Sequence, residues 1–121
     1  LSRRQLGGGM RQSGVIAAAA LYALQHNVER LVDDHVNARR LAEGLSGISG
    51  ININPDTVDS NIVFFELDCV DGNEFRTKLS DEGLLCSGTS SQRVRMVTHL
   101  DIGQKQIDRA CTIVAEAMSS L

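Results

Sequence analysis

The sequence predicts an α/β chain: a long N-terminal helix segment followed by a small α+β domain, in which helices cover one face of a small antiparallel sheet. Three observations predict it. Up to Leu45 one stripe of positions (Leu21, Leu24, Val28, Leu31, His35, Ala38, Ala42, Leu45) advances by alternating steps of three and four, the helical period. From Ile51 on, the segments read strand, strand, helix, strand, strand, helix, an order satisfied by an antiparallel sheet with helices on one side. The 121 residues suffice for one core and not for two. The expected division is residues 1–45, a glycine turn and long helix segment, and residues 46–121, the small α+β domain.

The elements follow in order. Leu1 to Gln5 is basic, and Gly7-Gly8-Gly9 makes a turn. The helical pattern from about Gln12 exceeds the usual length of one helix. Asn27 is a plausible N-cap or kink, so one bent helix or two successive ones are expected. Val15 to Leu21 is apolar on nearly all sides, which calls for burial in a large protein or an interface. Gly44, Gly47 and Gly50 stop the helix. Ile51 to Asn54 alternates as a short strand, Pro55-Asp56 turns, and Asn61 to Leu67 is the strongest strand, β-branched and aromatic. After the turn residues Asp71-Gly72-Asn73, a helix to Glu82 places Phe75 and Leu79 inward, and Gly83 ends it. Leu84 to Cys86 reads as a short strand, Ser87 to Gln92 (with Thr89, Ser90 and Ser91) as a polar loop, and Arg93 to Val97 as a strand. Gly103 to Leu121 is an amphipathic helix with Ile107, Ala110, Cys111, Val114 and Met118 inward.

Bulk composition excludes several classes. The formal net charge of −3 and an aromatic content of 3% argue against nucleic acid or an anionic membrane as a partner. The apolar run from Val15 to Leu24 is too short to span a bilayer. Cys69, Cys86 and Cys111 form no metal-binding pair and read as small core residues in a reducing, cytoplasmic setting. No metal is expected. A chain that opens on Leu1 fits a processed chain or a piece of a longer one.

Two stretches carry candidate chemistry. Consecutive glycines let backbone N–H groups approach a ligand, a following helix offers free amides and a positive dipole end, and Arg11 adds a fixed charge. Leu6 to Gly14 therefore reads either as a phosphate or carboxylate site or as a flexible linker before a buried helix. In the strand Arg93 to Val97 the two arginines share one face, which either grips a carboxylate or is simply solvated. His99 has the pKa of a general base, though a lone histidine after a strand is more often structural. His35 reads as a core or interface histidine, and His26 as lying at a helix end. The serine-rich loop lacks the Asp–His pairing of a hydrolase triad.

Gly7-Gly8-Gly9-Met10-Arg11-Gln12 before an alanine-rich helix resembles the segment after the lysine-bearing strand of low-specificity L-threonine aldolases. Arg95-Met96-Val97-Thr98-His99-Leu100-Asp101 resembles that family's R-x-V-T-H-L-D. Asn27 to Ala42 fits it as well, so the resemblance spans the chain but only the C-terminal portion of such an enzyme. It implies a fold type I, pyridoxal 5'-phosphate-dependent lyase that cleaves L-threonine or L-allo-threonine to glycine and acetaldehyde. It further implies an amino-acid substrate held by Arg95 and a cofactor phosphate held by Arg11 with Gly8 and Gly9. Arg4 falls where some members carry a lysine near the same phosphate. A homo-oligomer, dimer or tetramer, is implied too. Lys78 and Lys105 lie on amphipathic helices outside the family's Ser-Lys-Gly context, and the resemblance implies that the Schiff-base lysine lies upstream of Leu1, with no catalytic residue here. Another β-eliminating lyase of the same superfamily, or a non-catalytic binding or oligomerisation module, are the competing readings.

Overall fold

Backbone hydrogen bonding decides where the elements begin and end. The structure, a computed structural model, describes residues 2–88 and 90–121. Leu1, and Thr89 of the expected polar loop, lie outside them. The chain divides into two compact units, Leu1–Leu31 and Val32–Leu121.

The first unit holds α1 (Ser2–Gln5) and α2 (Gly14–His26). Between them Gly7 takes a φ of +78°, a left-handed conformation that glycine enters without strain. The long helical pattern is two successive helices. Asn27 is the C-cap of α2, its N–H donating to Ala23 O at 2.8 Å, rather than an N-cap or kink. No residue of α2 is buried, and Val15 and Leu24 are 84% and 69% exposed.

The second unit is the α+β layer. It comprises α3 (Leu31–Ser46, all but its first residue), β1 (Ile51–Asn52), a 3₁₀ turn (Pro55–Thr57), β2 (Ile62–Leu67), α4 (Gly72–Asp81), β3 (Ser87–Gly88), β4 (Arg93–Val97) and α5 (Gln104–Ser119). The sheet is antiparallel throughout, in the order β1-β2-β4-β3. Alternation along β2 and β4 buries Val63, Phe65, Leu67, Val94 and Met96 and leaves Ile62, Phe64, Glu66, Arg93, Arg95 and Val97 on the open face. The buried face joins Ala38, Leu41, Ala42 and Leu45 of α3, Phe75 and Leu79 of α4, and Ile107, Ala110, Ile113 and Val114 of α5 in one core. Phe65 and Phe75 meet edge to face at 6.3 Å in it.

The compact unit begins at Val32, because the second half of the helical stripe packs on this sheet. Gly44 is needed for that packing: a Cβ there would stand 2.5 Å from Cys111 Sγ of α5. Arg40 and Asp108 bridge the same two helices with a two-pronged contact of 2.7 and 3.0 Å. Its hydrogen bonds hold the Asp108 carboxyl below its usual range. Asp71 caps α4, accepting the N–H groups of Asn73 at 2.9 Å and Glu74 at 3.0 Å.

Two expectations are corrected. The third strand is Ser87–Gly88, not Leu84 to Cys86. Leu84 N–H is taken by Leu79 O at 2.8 Å as the chain leaves α4 through Gly83, and Leu85 points outward, 80% exposed. His35 is exposed. The inward positions of its turn belong to Asp34 and Asn37, and Asn37 Nδ2 donates to Ile102 O at 3.0 Å.

Candidate functional site

Arg95 stands in the middle of β4, on the face that no helix covers. In register it lies opposite Phe64 of β2 on one side and Ser87 of β3 on the other. Arg93, two residues earlier on the same face, lies opposite Glu66. Its guanidinium carbon sits 4.6 Å from the centre of the Phe64 ring, a cation–π contact. Ile62, Phe64 and Val97 add partly exposed apolar surface. No hydrogen bond or ion pair engages the Arg95 guanidinium among the described residues. An exposed arginine flanked by a hydroxyl and an aromatic edge has the donor fork to grip one carboxylate.

The rest of the second motif makes contacts within the fold. Thr98 is 1% exposed, and its hydroxyl donates to Asp34 O of α3 at 2.7 Å. Thr98 and Asn61 clasp each other, with Thr98 N–H donating to Asn61 O at 3.0 Å and Asn61 Nδ2 to Thr98 O at 2.7 Å. His99 is exposed, and its Nδ1 accepts the Asp101 N–H at 3.3 Å, closing the loop on itself. On the helix side of β4, away from Arg95, a cleft of about 480 Å³ is lined by Leu84, Met96, Ile107, Ala110, His99 and Arg109 among others.

The residues expected at the phosphate belong to the first unit. Arg4 lies in α1, Gly8 and Gly9 in the irregular run after it, and Arg11 in the bend before α2, all exposed. Met10 to Ser13 separate the glycines from α2, so the run is not itself the helix N-terminus, as the sequence led one to expect. Ser13 does not cap the helix with its side chain, and a Cβ on Gly7 or Gly9 would meet nothing within 4 Å. The backbone there is open to a ligand.

Other groups are accounted for. Lys78 Nζ donates to Ser120 O and Oγ at 3.0 and 3.1 Å, joining α4 to the end of α5. The three cysteines are unpaired. Burial pushes the half-buried Cys86 and Cys111 thiols up. Among the described residues no group of His, Cys, Asp and Glu side chains can hold a metal, and no helix is long and apolar enough to cross a membrane. Phe64 and Glu66 are the neighbours that sequence reasoning missed. Alternation gives their face, but the register that sets them beside Arg95 and Arg93 is a tertiary fact.

Similarity to known proteins adds to this geometry. The beta-eliminating lyase family model matches residues 1–68. Low-specificity L-threonine aldolase 1 of Arabidopsis thaliana is 38% identical over 98% of this chain, and that of Escherichia coli K12 38% identical over 87%. The chain spans about a third of the length of these relatives, 34% and 30%. Among solved structures, a C-DES mutant with glycine covalently linked to its PLP cofactor shares the fold with a TM-score of 0.70 at 17% identity, over 86% of this chain and 28% of that one. Ornithine aminotransferase of Plasmodium yoelii does so with a TM-score of 0.60 at 16% identity, over 76% and 26%. The small antiparallel sheet with helices on one face is thus the fold these enzymes share, and by the match over more than half its length the chain belongs to the beta-eliminating lyase family.

Proposed function

We propose that this chain is the C-terminal portion of a pyridoxal-phosphate-dependent lyase of the low-specificity L-threonine aldolase type. Its substrate is L-threonine or L-allo-threonine, and its products are glycine and acetaldehyde. The observation that carries the reading is Arg95: it lies in the second motif, on the open sheet face, with its guanidinium uncommitted among the described residues. The threonine aldolase relatives, 38–43% identical over most of the chain, support the same reading.

The residues present fit the cofactor's phosphate. An open glycine turn supplies backbone donors, and the exposed Arg11 and Arg4 supply charge for a dianion. Arg11, with the amides of Gly8 and Gly9 and with Arg4, would hold it. Pyridoxal phosphate, when bound, supplies an electron sink for the charge left on Cα as the Cα–Cβ bond breaks. Arg95 fixes the substrate carboxylate and so the orientation of the reacting carbon. Lys78 is committed to Ser120. By the resemblance to the aldolases, the lysine that attaches the cofactor is assigned to a segment outside residues 1–121, and the chain alone is expected to be inactive. The exposed apolar helix α2 supports a homo-oligomer, and the unpaired cysteines support a reducing, cytoplasmic setting.

The family match favours one competing reading, β-elimination. Product analysis separates the two: threonine gives glycine and acetaldehyde, whereas elimination releases ammonia and a keto acid. In the enzyme that contains this chain, Arg95→Gln should lower kcat/KM for threonine while cofactor content stays near normal. The loss of a charged contact costs about 2–5 kcal/mol, or roughly tens to thousands of fold. Arg11→Gln should do the reverse and release cofactor. Normal kinetics and full cofactor in both variants would sink the assignment.

A further inference from the structure

We propose that Phe64 sets the carboxylate specificity of the Arg95 site by holding Arg93 out of it. The inference rests on Arg95 being the carboxylate-binding residue. Arg93 and Arg95 leave the same face of β4, their Cα atoms about 7 Å apart at the usual rise of a strand. That spacing suits a ligand with two carboxylates joined by a short methylene link. If both guanidiniums were free, this face would select a dicarboxylate.

The structure disposes of the two arginines differently. Phe64 stands directly across from Arg95, 38% exposed, and its ring takes the Arg93 guanidinium at 4.6 Å. Glu66, across from Arg93 in register and on the same face, adds a negative charge to the Arg93 side of it. The cross-strand neighbours of Arg95, Phe64 and Ser87, carry no charge. Among the described residues Arg95 has no such ring contact, and the apolar edges of Ile62, Phe64 and Val97 surround it. The face therefore accepts an amino acid with one carboxylate and a small uncharged side chain, and Phe64 and Glu66 together refuse an acidic one.

The test compares propionate with succinate. Their dissociation constants are read from the cofactor's absorbance in the holoenzyme that contains this chain, so no turnover is needed. Phe64→Leu removes the ring and frees Arg93. The affinity ratio should move toward succinate by about two- to fivefold, the range that releasing an exposed cation–π contact allows. Phe64→Tyr should keep the native ratio, and adding Arg93→Gln to Phe64→Leu should restore it. Arg93→Gln alone, an exposed change that keeps the fold, should leave propionate affinity unchanged. In the full 121-residue chain the Arg93 Nε–H resonance should be ring-shifted by Phe64 and lose that shift in Phe64→Leu. An unchanged ratio in Phe64→Leu, a fall in propionate affinity in Arg93→Gln, or an unshifted Arg93 resonance in the native chain overturns the proposal. Arg95→Gln checks the parent reading separately: loss of both ligands upholds it, and retained propionate binding overturns it whatever Phe64 does.

Discussion

Thr98 shows how one residue can belong to a functional motif and do structural work. Its hydroxyl, buried under β4, satisfies the Asp34 carbonyl of α3, and its backbone exchanges hydrogen bonds with Asn61. These bonds tie the end of the strand that carries Arg95 to the first turns of α3. Thr98→Val keeps the shape but removes a buried hydrogen bond between the strand end and α3, which costs about 0.5–1.5 kcal/mol. Urea unfolding of the chain should show that loss as a lower midpoint with an unchanged slope, and Thr98→Ser should recover most of it. The sequence marks Thr98, His99 and Asp101 as a group worth attention, and only contacts across the fold distinguish the anchor from the exposed histidine. Alternation puts Arg93 and Arg95 on one face, and the resemblance to the aldolase motif is what singled out Arg95. The contact of its neighbour Arg93 with Phe64 was not legible, since it depends on cross-strand register.

At the scale of elements, periodicity found α3, α4 and α5, and alternation found β2 and β4, because each buries a stripe against one core. It failed for β3, where Leu84 and Cys86 invite a strand but the exit from α4 spends the Leu84 amide on Leu79. Pairing then starts at Ser87, a polar edge strand that no apolar pattern announces. The α3–α5 contact was equally silent, since it rests on Gly44 meeting Cys111 and on Arg40 gripping Asp108. That grip predicts a pH dependence. Asp108 is held below its usual range when folded, so its contribution is fully present above the unfolded carboxylate value of about 3.9 and is lost as pH falls through the lower folded value. Asp108→Asn should therefore destabilise the chain at neutral pH and lose less of its remaining stability on acidification than the native chain. Thermal melts at pH 7 and pH 3 measure this, and parallel losses in both proteins would show that the contact does not couple to folding.

On the scale of the whole molecule the chain keeps one core and one apolar helix without cover. The α+β layer from Val32 to Leu121 buries its own apolar face, whereas α2 buries nothing. Val15, Ile16, Leu21, Tyr22 and Leu24 are all exposed, and they do not fall on a single stripe. A helix apolar all round needs partners on more than one side. Soluble monomers seldom leave more than a few hundred Å² of continuous apolar surface in water, roughly 300–600 Å² for the largest patch. Thirteen residues of such a helix reach or exceed that range. Residues 1–121 alone should therefore self-associate, with the apparent mass from light scattering rising with concentration. Replacing Ile16, Leu21 and Leu24 by Lys should suppress the association without lowering the unfolding midpoint of the α+β layer, since none of the three belongs to its core. A native chain that stays monomeric across the series would show that α2 finds its cover within this chain, and would favour a self-contained binding module over a portion of a larger enzyme.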